Sequence, residues 1–367
     1  MNARAFLPGG ILSAVKQDIR FCKSFDGARI AYAITGEGPP LVKAPHWLTH
    51  LEYEAQSPIW QPWIEELSRT HTLIRMDLRG CGLSERDAEF SFEHYVNDLE
   101  AVIDAAGLER TALFGHSQGG AIAVEYAARH QQRVSHLALL GAYARGSRNR
   151  GLPPERLAEM EAVLKLVEAG WGREDPTYRD MFSMQFAPRA TMEQLNSFSE
   201  LQRRSCSPAN AVRIIRSMAV IDVSQSAGRV RCPTLLLHGR NDRRVALSLG
   251  VELGGLIPGA RLVTLETENH ILVAQEPAYR SFFEALRAFL PGRTPASLIG
   301  LTGREGEIIE LIARGLDNTQ IAVRLGMSEK TVRNHITHIF DKLGVETRAQ
   351  AIVRAREAGL GRESRLS

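Results

Sequence analysis

Two hydrophobic rhythms divide the chain. Between residues 18 and 290, short apolar runs alternate with amphipathic segments, whereas beyond residue 300 apolar positions recur only at helical spacing. Residues 19–24 and 28–34 flank the turn signal Asp26-Gly27 and predict a hairpin. Residues 41–44, 72–77, 111–115, 134–140, 234–239 and 261–265 read as short strands. Helical stretches between them predict an α/β architecture, a mostly parallel sheet covered on both faces. From Ala142 to Ser226 the alternation stops. That stretch is charged and helical, with helices expected over 157–167, 178–186, 195–201 and 211–218.

The tail has a different grammar. Thr302 stands three residues before Glu305 and ahead of an apolar run, the signature of a capping box. Ile308, Ile309, Leu311 and Ile312 then line one helix face, and Arg314-Gly315 ends it. A second helix is expected from near Asn318 to the break at Gly326. A third is capped by Ser328 and closed by Gly344, and a fourth runs over about 347–357. Two short helices joined by a Gly-containing turn let the second enter a DNA major groove. The outer face of the third helix would present Lys330, Arg333, Asn334, Thr337, His338 and Lys342. Arg suits guanine O6/N7 and Asn suits adenine N6/N7.

From Leu301 to Ala355 the chain resembles the C-terminal DNA-binding domain of LuxR/NarL-type transcription regulators. The matching residues are Leu301-Thr302, Arg304-Glu305, Gly315-Leu316, Asn318, Ile321-Ala322, Leu325, Ser328, Thr331-Val332, His335, Ile339, Lys342-Leu343 and Arg348. The resemblance implies that Arg333, Asn334 and Thr337 touch bases of an operator duplex. It implies that Thr319, Lys330 and Lys342 lie near phosphates, and that a homodimer binds a near-palindromic site. Charge agrees: twelve Lys and Arg against nine Asp and Glu from Pro291 onward account for the whole net charge of +3.

The other half carries candidate chemistry. Gly115-His116-Ser117-Gln118-Gly119-Gly120 follows an apolar strand and precedes a helical segment, the required context of a nucleophile elbow. A serine hydroxyl is a weak nucleophile without a base and an acid that orients the base. Asp242 follows the strand 234–239, and His270 follows the strand 261–265. The order Ser117, Asp242, His270 resembles the α/β-hydrolase superfamily over nearly all of residues 18–290, as does Asp77-x-Arg79-Gly80-x-Gly82-x-Ser84. The resemblance implies a catalytic triad, an oxyanion hole from the amides of Gln118 and Trp47, and a helical lid over about 142–226. One site departs from the pattern. Where the superfamily carries His-Gly, this chain has Pro45-His46 followed by Trp47. Loss of one oxyanion donor costs about 2.7–4 kcal/mol of transition-state stabilisation, so a slow triad is expected. His46, His50, Trp47 and Trp60 are equally readable as pocket lining or as packing. Met181, Phe182, Met184, Phe186 and Met218 in the lid suggest an apolar pocket.

Length fits a unit of residues 1–290, a linker at 291–299 marked by Pro291 and Pro295, and a unit of 300–367. No secretory or membrane-spanning segment is read, so a cytoplasmic protein is expected. Cys22, Cys81, Cys206 and Cys232 are scattered without metal-ligand spacing. His335 and His338 read as helix surface and core edge. Gly36-Glu37-Gly38-Pro39-Pro40 reads as a turn. No metal and no cofactor are expected. Two functions remain open: a ligand-responsive regulator, or a serine hydrolase of esters, lactones, thioesters or amides with a DNA-binding tail. A weaker third is a scaffold with a vestigial triad.

Overall fold

The computed structural model describes residues 15–171, 173, 182–291, 301–357 and 360–361. Two compact units emerge, Met1–Gly292 and Arg293–Ser367. The first is built on an eight-stranded sheet in the order β1-β2-β4-β3-β5-β6-β7-β8. The strands are β1 Asp18–Lys23, β2 Arg29–Thr35, β3 Pro40–Lys43, β4 Thr72–Met76, β5 Thr111–His116, β6 Val134–Leu140, β7 Thr234–Gly239 and β8 Arg261–Leu265. Only β2 pairs antiparallel with its neighbours, β1 and β4; the remaining pairs are parallel. The central strands β5 and β7 are buried along their whole length, as parallel strands covered on both faces must be.

Crossover helices supply that cover. Phe92–Ala105 is capped by the Ser91 hydroxyl, which accepts from the His94 amide. Pro277–Phe289 places Tyr279, Phe282 and Phe283 around Trp63, whose indole donates to the Leu272 carbonyl at 3.0 Å. Arg79 has no exposed surface; it grips Asp98 at 2.5 Å and the hairpin turn at Asp26 at 2.8 Å. The Asp77–Ser84 stretch is therefore a brace. Asp77 accepts from the amides of Leu51 and Leu83, and the Ser84 hydroxyl ties β2 to it.

Between β6 and β7 lie helices Pro154–Gly170, Met192–Ser205 and Pro208–Ala219. The first buries only Leu164, Val167 and Gly170. Of the helix expected over 178–186, residues 178–181, Met181 among them, lie outside the described residues, and residues 184–186 form a turn rather than a helix. Met184 is exposed, whereas Phe182, Phe186 and Met218 are buried. The expected linker lies, apart from Pro291, outside the described residues. Among the described residues no helix is long and apolar enough to cross a membrane.

Among the described residues the second unit holds four helices: Gly303–Ala313, Asn318–Leu325, Glu329–Leu343 and Arg348–Glu357. Thr302 and Glu305 form a reciprocal capping box, and so do Asp317 and Gln320. Gly326 and Gly344 end their helices in the left-handed conformation, which glycine adopts without steric cost. A small core of Ile308, Ile309, Ile312, Ile321, Val332, Ile336 and Ile339 holds the helices together. Arg348 reaches Asn318 at 3.0 Å and the Leu316 carbonyl, joining the fourth helix to the second.

Glu305 does two jobs here. Its carboxylate accepts from Lys342 at 2.7 Å and from the Thr302 amide at 2.6 Å. The Lys342 hydrogen bond, then the Thr302 amide, lower its pKa from 4.5 to about 2. A depressed carboxylate stabilises the fold above its unfolded pKa and loses that contribution as pH falls through the folded value. We therefore expect the DNA-binding unit to lose stability between pH 4.5 and about 2. Glu305→Gln should flatten that part of the curve, measured by calorimetry of the full chain. An unchanged acid limb in Glu305→Gln would show that this pair does not set it.

Candidate functional site

Ser117 sits between the last residue of β5 and the helix Gln118–Arg129 with φ 56° and ψ −127°. Such a conformation is rare for a residue with a side chain, and it costs about 1–3 kcal/mol unless the surroundings impose it. They do impose it. The Ser117 amide donates to the Leu140 carbonyl at 2.8 Å, and its carbonyl accepts from Gly120 at 2.9 Å. At Gly119 a Cβ would stand 2.8 Å from the Pro45 carbonyl, so the helix start and the β3 loop touch through bare backbone. The helix dipole and the Gln118 amide face this point.

Asp242 and His270 meet as the chain order suggests. His270 Nδ1 donates to Asp242 Oδ2 at 2.7 Å. The other Asp242 oxygen accepts from the amides of Arg244 and Val245 at 2.8 and 2.9 Å. Burial pushes the Asp242 carboxyl up, but the charge and hydrogen bond of His270, then these amides, outweigh it and keep the pKa low. An ionised Asp242 holds the proton on Nδ1 and leaves Nε2 as the base. His270 Nε2 is buried and has no hydrogen-bond partner in the resting geometry. Ser117 and His270 line one small pocket, with His46, Trp47, His116, Phe186 and Ile271. Catalytic hydrogen bonds commonly tighten only once a ligand is bound.

The β3 loop is where the chain departs most from expectation of a simple oxyanion hole. Leu48 has φ 51°, a bend held by Thr49, whose hydroxyl accepts from the Leu78 amide at 2.7 Å. Trp47 packs edge-on against Trp171 and faces Phe182. Beneath the loop lies a buried chain of charges. Lys43 Nζ donates to His46 Nδ1 at 3.0 Å, His46 Nε2 is 3.9 Å from Glu54 Oε1, and Glu54 Oε2 accepts from Arg75 at 2.6 Å. Burial lowers the Lys43 pKa to about 8, against the attraction of Glu54. Burial, then the Lys43 charge, lowers that of His46 well below its usual value. His46 is thus neutral, and the Lys43 contact assigns its proton to Nε2. His116 packs between His46 and His270 and bonds the His270 carbonyl at 3.1 Å. Of the four loop aromatics, His46 and Trp47 line the pocket and Trp60 packs behind His46 at 4.3 Å. His50 is not among the lining residues. The missed residues were Lys43 and Glu54; the only sequence signal for them is the Pro45-His46 departure beside Lys43.

In the second unit, Lys330, Arg333, Asn334, Thr337 and His338 are all exposed along helix Glu329–Leu343. Arg333 is only loosely drawn to Glu329, at 4.0 Å. Two residues expected near phosphates are engaged within the protein. Thr319 donates to Glu329 at 2.7 Å, and Lys342 is bound to Glu305.

Comparison with known proteins follows these geometries. Residues 53–176 match the alpha/beta hydrolase fold, and residues 300–355 match the luxR family of bacterial regulatory proteins. The AB hydrolase superfamily protein YisY of Bacillus subtilis (strain 168) is 31% identical over 244 residues, covering 64% of this chain and 86% of that protein. The chain belongs to the alpha/beta hydrolase superfamily and carries a luxR-type regulatory domain. A 2-hydroxy-6-oxo-2,4-heptadienoate hydrolase of Pseudomonas putida is 28% identical over 63% of this chain and 82% of its own length. Among solved structures, the enol-lactonase from Burkholderia xenovorans LB400 superposes with a TM-score of 0.56 at 25% identity, over 74% of this chain and 99% of that one. A hydrolase from Pseudomonas aeruginosa PA01 reaches 0.61 at 24% identity, over 75% and 99%, and shows the same fold.

For this superfamily member, a fluorophosphonate is expected to label wild-type protein and to spare Ser117→Ala. His270→Ala should lose labelling almost as completely, because triad residues act as a unit. A methyl at Gly141, which has φ 55°, would stand 2.8 Å from His270 Cε1 and 3.0 Å from Nδ1. Gly141→Ala should therefore slow labelling by roughly 10²-fold or more while the protein still melts cooperatively. Equal labelling of wild type and Ser117→Ala would refute the nucleophile assignment.

Proposed function

We propose that this protein is a ligand-responsive transcription regulator whose hydrolase-type unit binds a small acyl compound at Ser117. The observation that carries the reading is the orientation of His270, with Nδ1 held by Asp242 and a partnerless Nε2 in the Ser117 pocket, in a chain that also presents a DNA-reading face. Nothing in a purely structural role asks for an imidazole aimed in this way.

The chemistry follows from the atoms. Ser117 Oγ attacks the carbonyl carbon of an ester or lactone while its proton passes to His270 Nε2. Asp242 stays ionised and stabilises the imidazolium. The amides of Gln118 and Trp47 face the developing oxyanion. Collapse expels the alkoxide, which takes the proton from Nε2 and leaves acyl-Ser117. Water, deprotonated by His270, then releases the acid. Trp47 and the buried Lys43–His46 pair crowd the oxyanion loop, so deacylation is the step we expect to be slow. A slow step suits a sensor, because occupancy then lasts.

On the DNA side, Arg333, Asn334 and Thr337 read base edges, and Lys330 contacts phosphate. Two copies bind a near-palindromic operator in the cytoplasm, a pairing that matches the two-fold symmetry of such sites. Lys342 and Thr319 reach phosphate only by giving up Glu305 and Glu329. A second reading is favoured by the hydrolase names of the relatives: a serine hydrolase of esters or lactones whose DNA-binding tail localises it.

Operator binding by fluorescence anisotropy tests the regulator reading, with ligands found by thermal-shift screening of small esters and lactones. Occupancy of the pocket should change operator affinity by a coupling of about 1–3 kcal/mol. Arg333→Ala should cost about 1–3 kcal/mol at the operator and relax preference at one base pair. Indifference to Arg333→Ala would refute the docking face. An operator affinity blind to every ligand that occupies the pocket would favour the tethered hydrolase.

A further inference from the structure

Two adjacent arginines behind Asp242 have opposite fates. Arg243 pairs with Glu268 at 2.6 Å. The Arg244 guanidinium meets no carboxylate within ion-pairing distance among the described residues; it lies 5.2 Å from the ring centroid of Phe186. Phe186 is a wall of the Ser117 pocket. Arg150 behaves likewise. Its guanidinium stacks 4.8 Å over the Tyr143 ring, and its Nε donates to the Arg145 carbonyl. Neighbouring cations are neutralised: Arg145 by Glu252 and Arg148 by Glu161, both at 2.6 Å.

The two guanidinium groups share a neighbour, Tyr143. Tyr143 interacts with the charges of both, and Arg150 with that of Arg244. Tyr143 lies two residues after Gly141, where an added Cβ would stand 2.8 Å from His270 Cε1, and Arg244 two residues after Asp242, so the cluster borders the Asp242–His270 pair. Arg244 is exposed to solvent, yet the surrounding protein strips hydration and lowers its pKa, with Tyr143 and Asp242 offsetting this only in part. Two like charges with no carboxylate in ion-pairing contact among the described residues, and only the more distant charges of Glu252 and Asp242 to offset them, are costly, and an anion would relieve that cost. The guanidinium fork matches a carboxylate in two parallel hydrogen bonds.

We propose that Arg244, beside Phe186, and Arg150, over Tyr143, form an anion subsite at the rim of the Ser117 pocket, and that the ligand is an ester or lactone whose acyl part ends in a carboxylate. This deepens the acyl-ligand reading and rests on it. The carboxylate anchors at the arginines while the reactive carbonyl reaches Ser117.

The test is calorimetric binding to the full chain of monomethyl glutarate, methyl butyrate and inorganic phosphate. Wild type should bind monomethyl glutarate at least roughly tenfold more tightly than methyl butyrate, and more tightly than phosphate. In Arg244→Gln that ratio should fall by roughly tenfold or more, further with Arg150→Gln added, and Arg244→Lys should retain part of it. Thermal melts report whether each variant is folded. An unchanged ratio in folded Arg244→Gln and Arg150→Gln overturns the subsite, and so does absence of any monomethyl glutarate binding or preference in wild type. Tighter binding of phosphate overturns the carboxylate assignment. Ser117→Ala separates the two claims. If fluorophosphonate fails to label wild type but the arginine-dependent preference persists in Ser117→Ala, the nucleophile reading falls and the subsite stands. If labelling is normal and the preference is missing, the subsite alone falls.

Discussion

The site rests on a serine held where serines rarely go. At φ 56° Ser117 stores strain that its own side chain does not repay. Packing on both sides of the elbow supplies the compensation: the parallel sheet beneath β5, the bare contact between Gly119 and the Pro45 carbonyl, and the amide bond to Leu140. The same turn begins a helix, so one forced residue both projects a hydroxyl and aims a dipole at it. Asp242 and His270 then need only reach the ends of two neighbouring strands, β7 and β8. The general rule for open α/β sheets, that sites gather outside the carboxyl ends of strands, is obeyed here, with Ser117, Asp242 and His270 following β5, β7 and β8.

Much of this was legible because it obeys local rules. The eight strands lie within a residue of their expected bounds, since alternation and turn signals act over a few residues. The caps at Thr302 and Ser328 and the glycine stops at Gly326 and Gly344 were readable for the same reason. What was not legible depends on segments far apart. Lys43, His46, Glu54 and Arg75 form one buried chain drawn from two strands, a loop and a short helix. No spacing rule joins them. Arg243 and Arg244 look alike in sequence, and only the fold shows that one pairs with Glu268 while the other faces Phe186. Lys342 was expected to face phosphate, and its ammonium is spent on Glu305 within the unit.

The two units use charge in different ways. In the hydrolase-type unit, buried ions are held in pairs such as Arg79 with Asp98 and Arg75 with Glu54. In the DNA-binding unit the exposed cations of the third helix stand ready for a polyanion, while Glu305 holds its N-terminal cap closed. Net charge is modest, so a dense basic patch does not carry affinity for DNA, and the proposed homodimer would supply it by pairing two copies. Such a design leaves operator affinity open to adjustment by whatever alters the geometry of the pair.

Communication between pocket and operator is the central claim, and thermodynamic reciprocity gives its most direct measurement. The dissociation constant of a pocket ligand should be measured by calorimetry on the full chain, with and without saturating operator duplex. If the ligand changes operator affinity by some factor, the duplex must change ligand affinity by the same factor. The account predicts a shift of about 5- to 150-fold in one direction or the other, and its loss in Arg333→Ala under conditions where that variant no longer binds the duplex. A ligand dissociation constant that is the same with and without operator would contradict it.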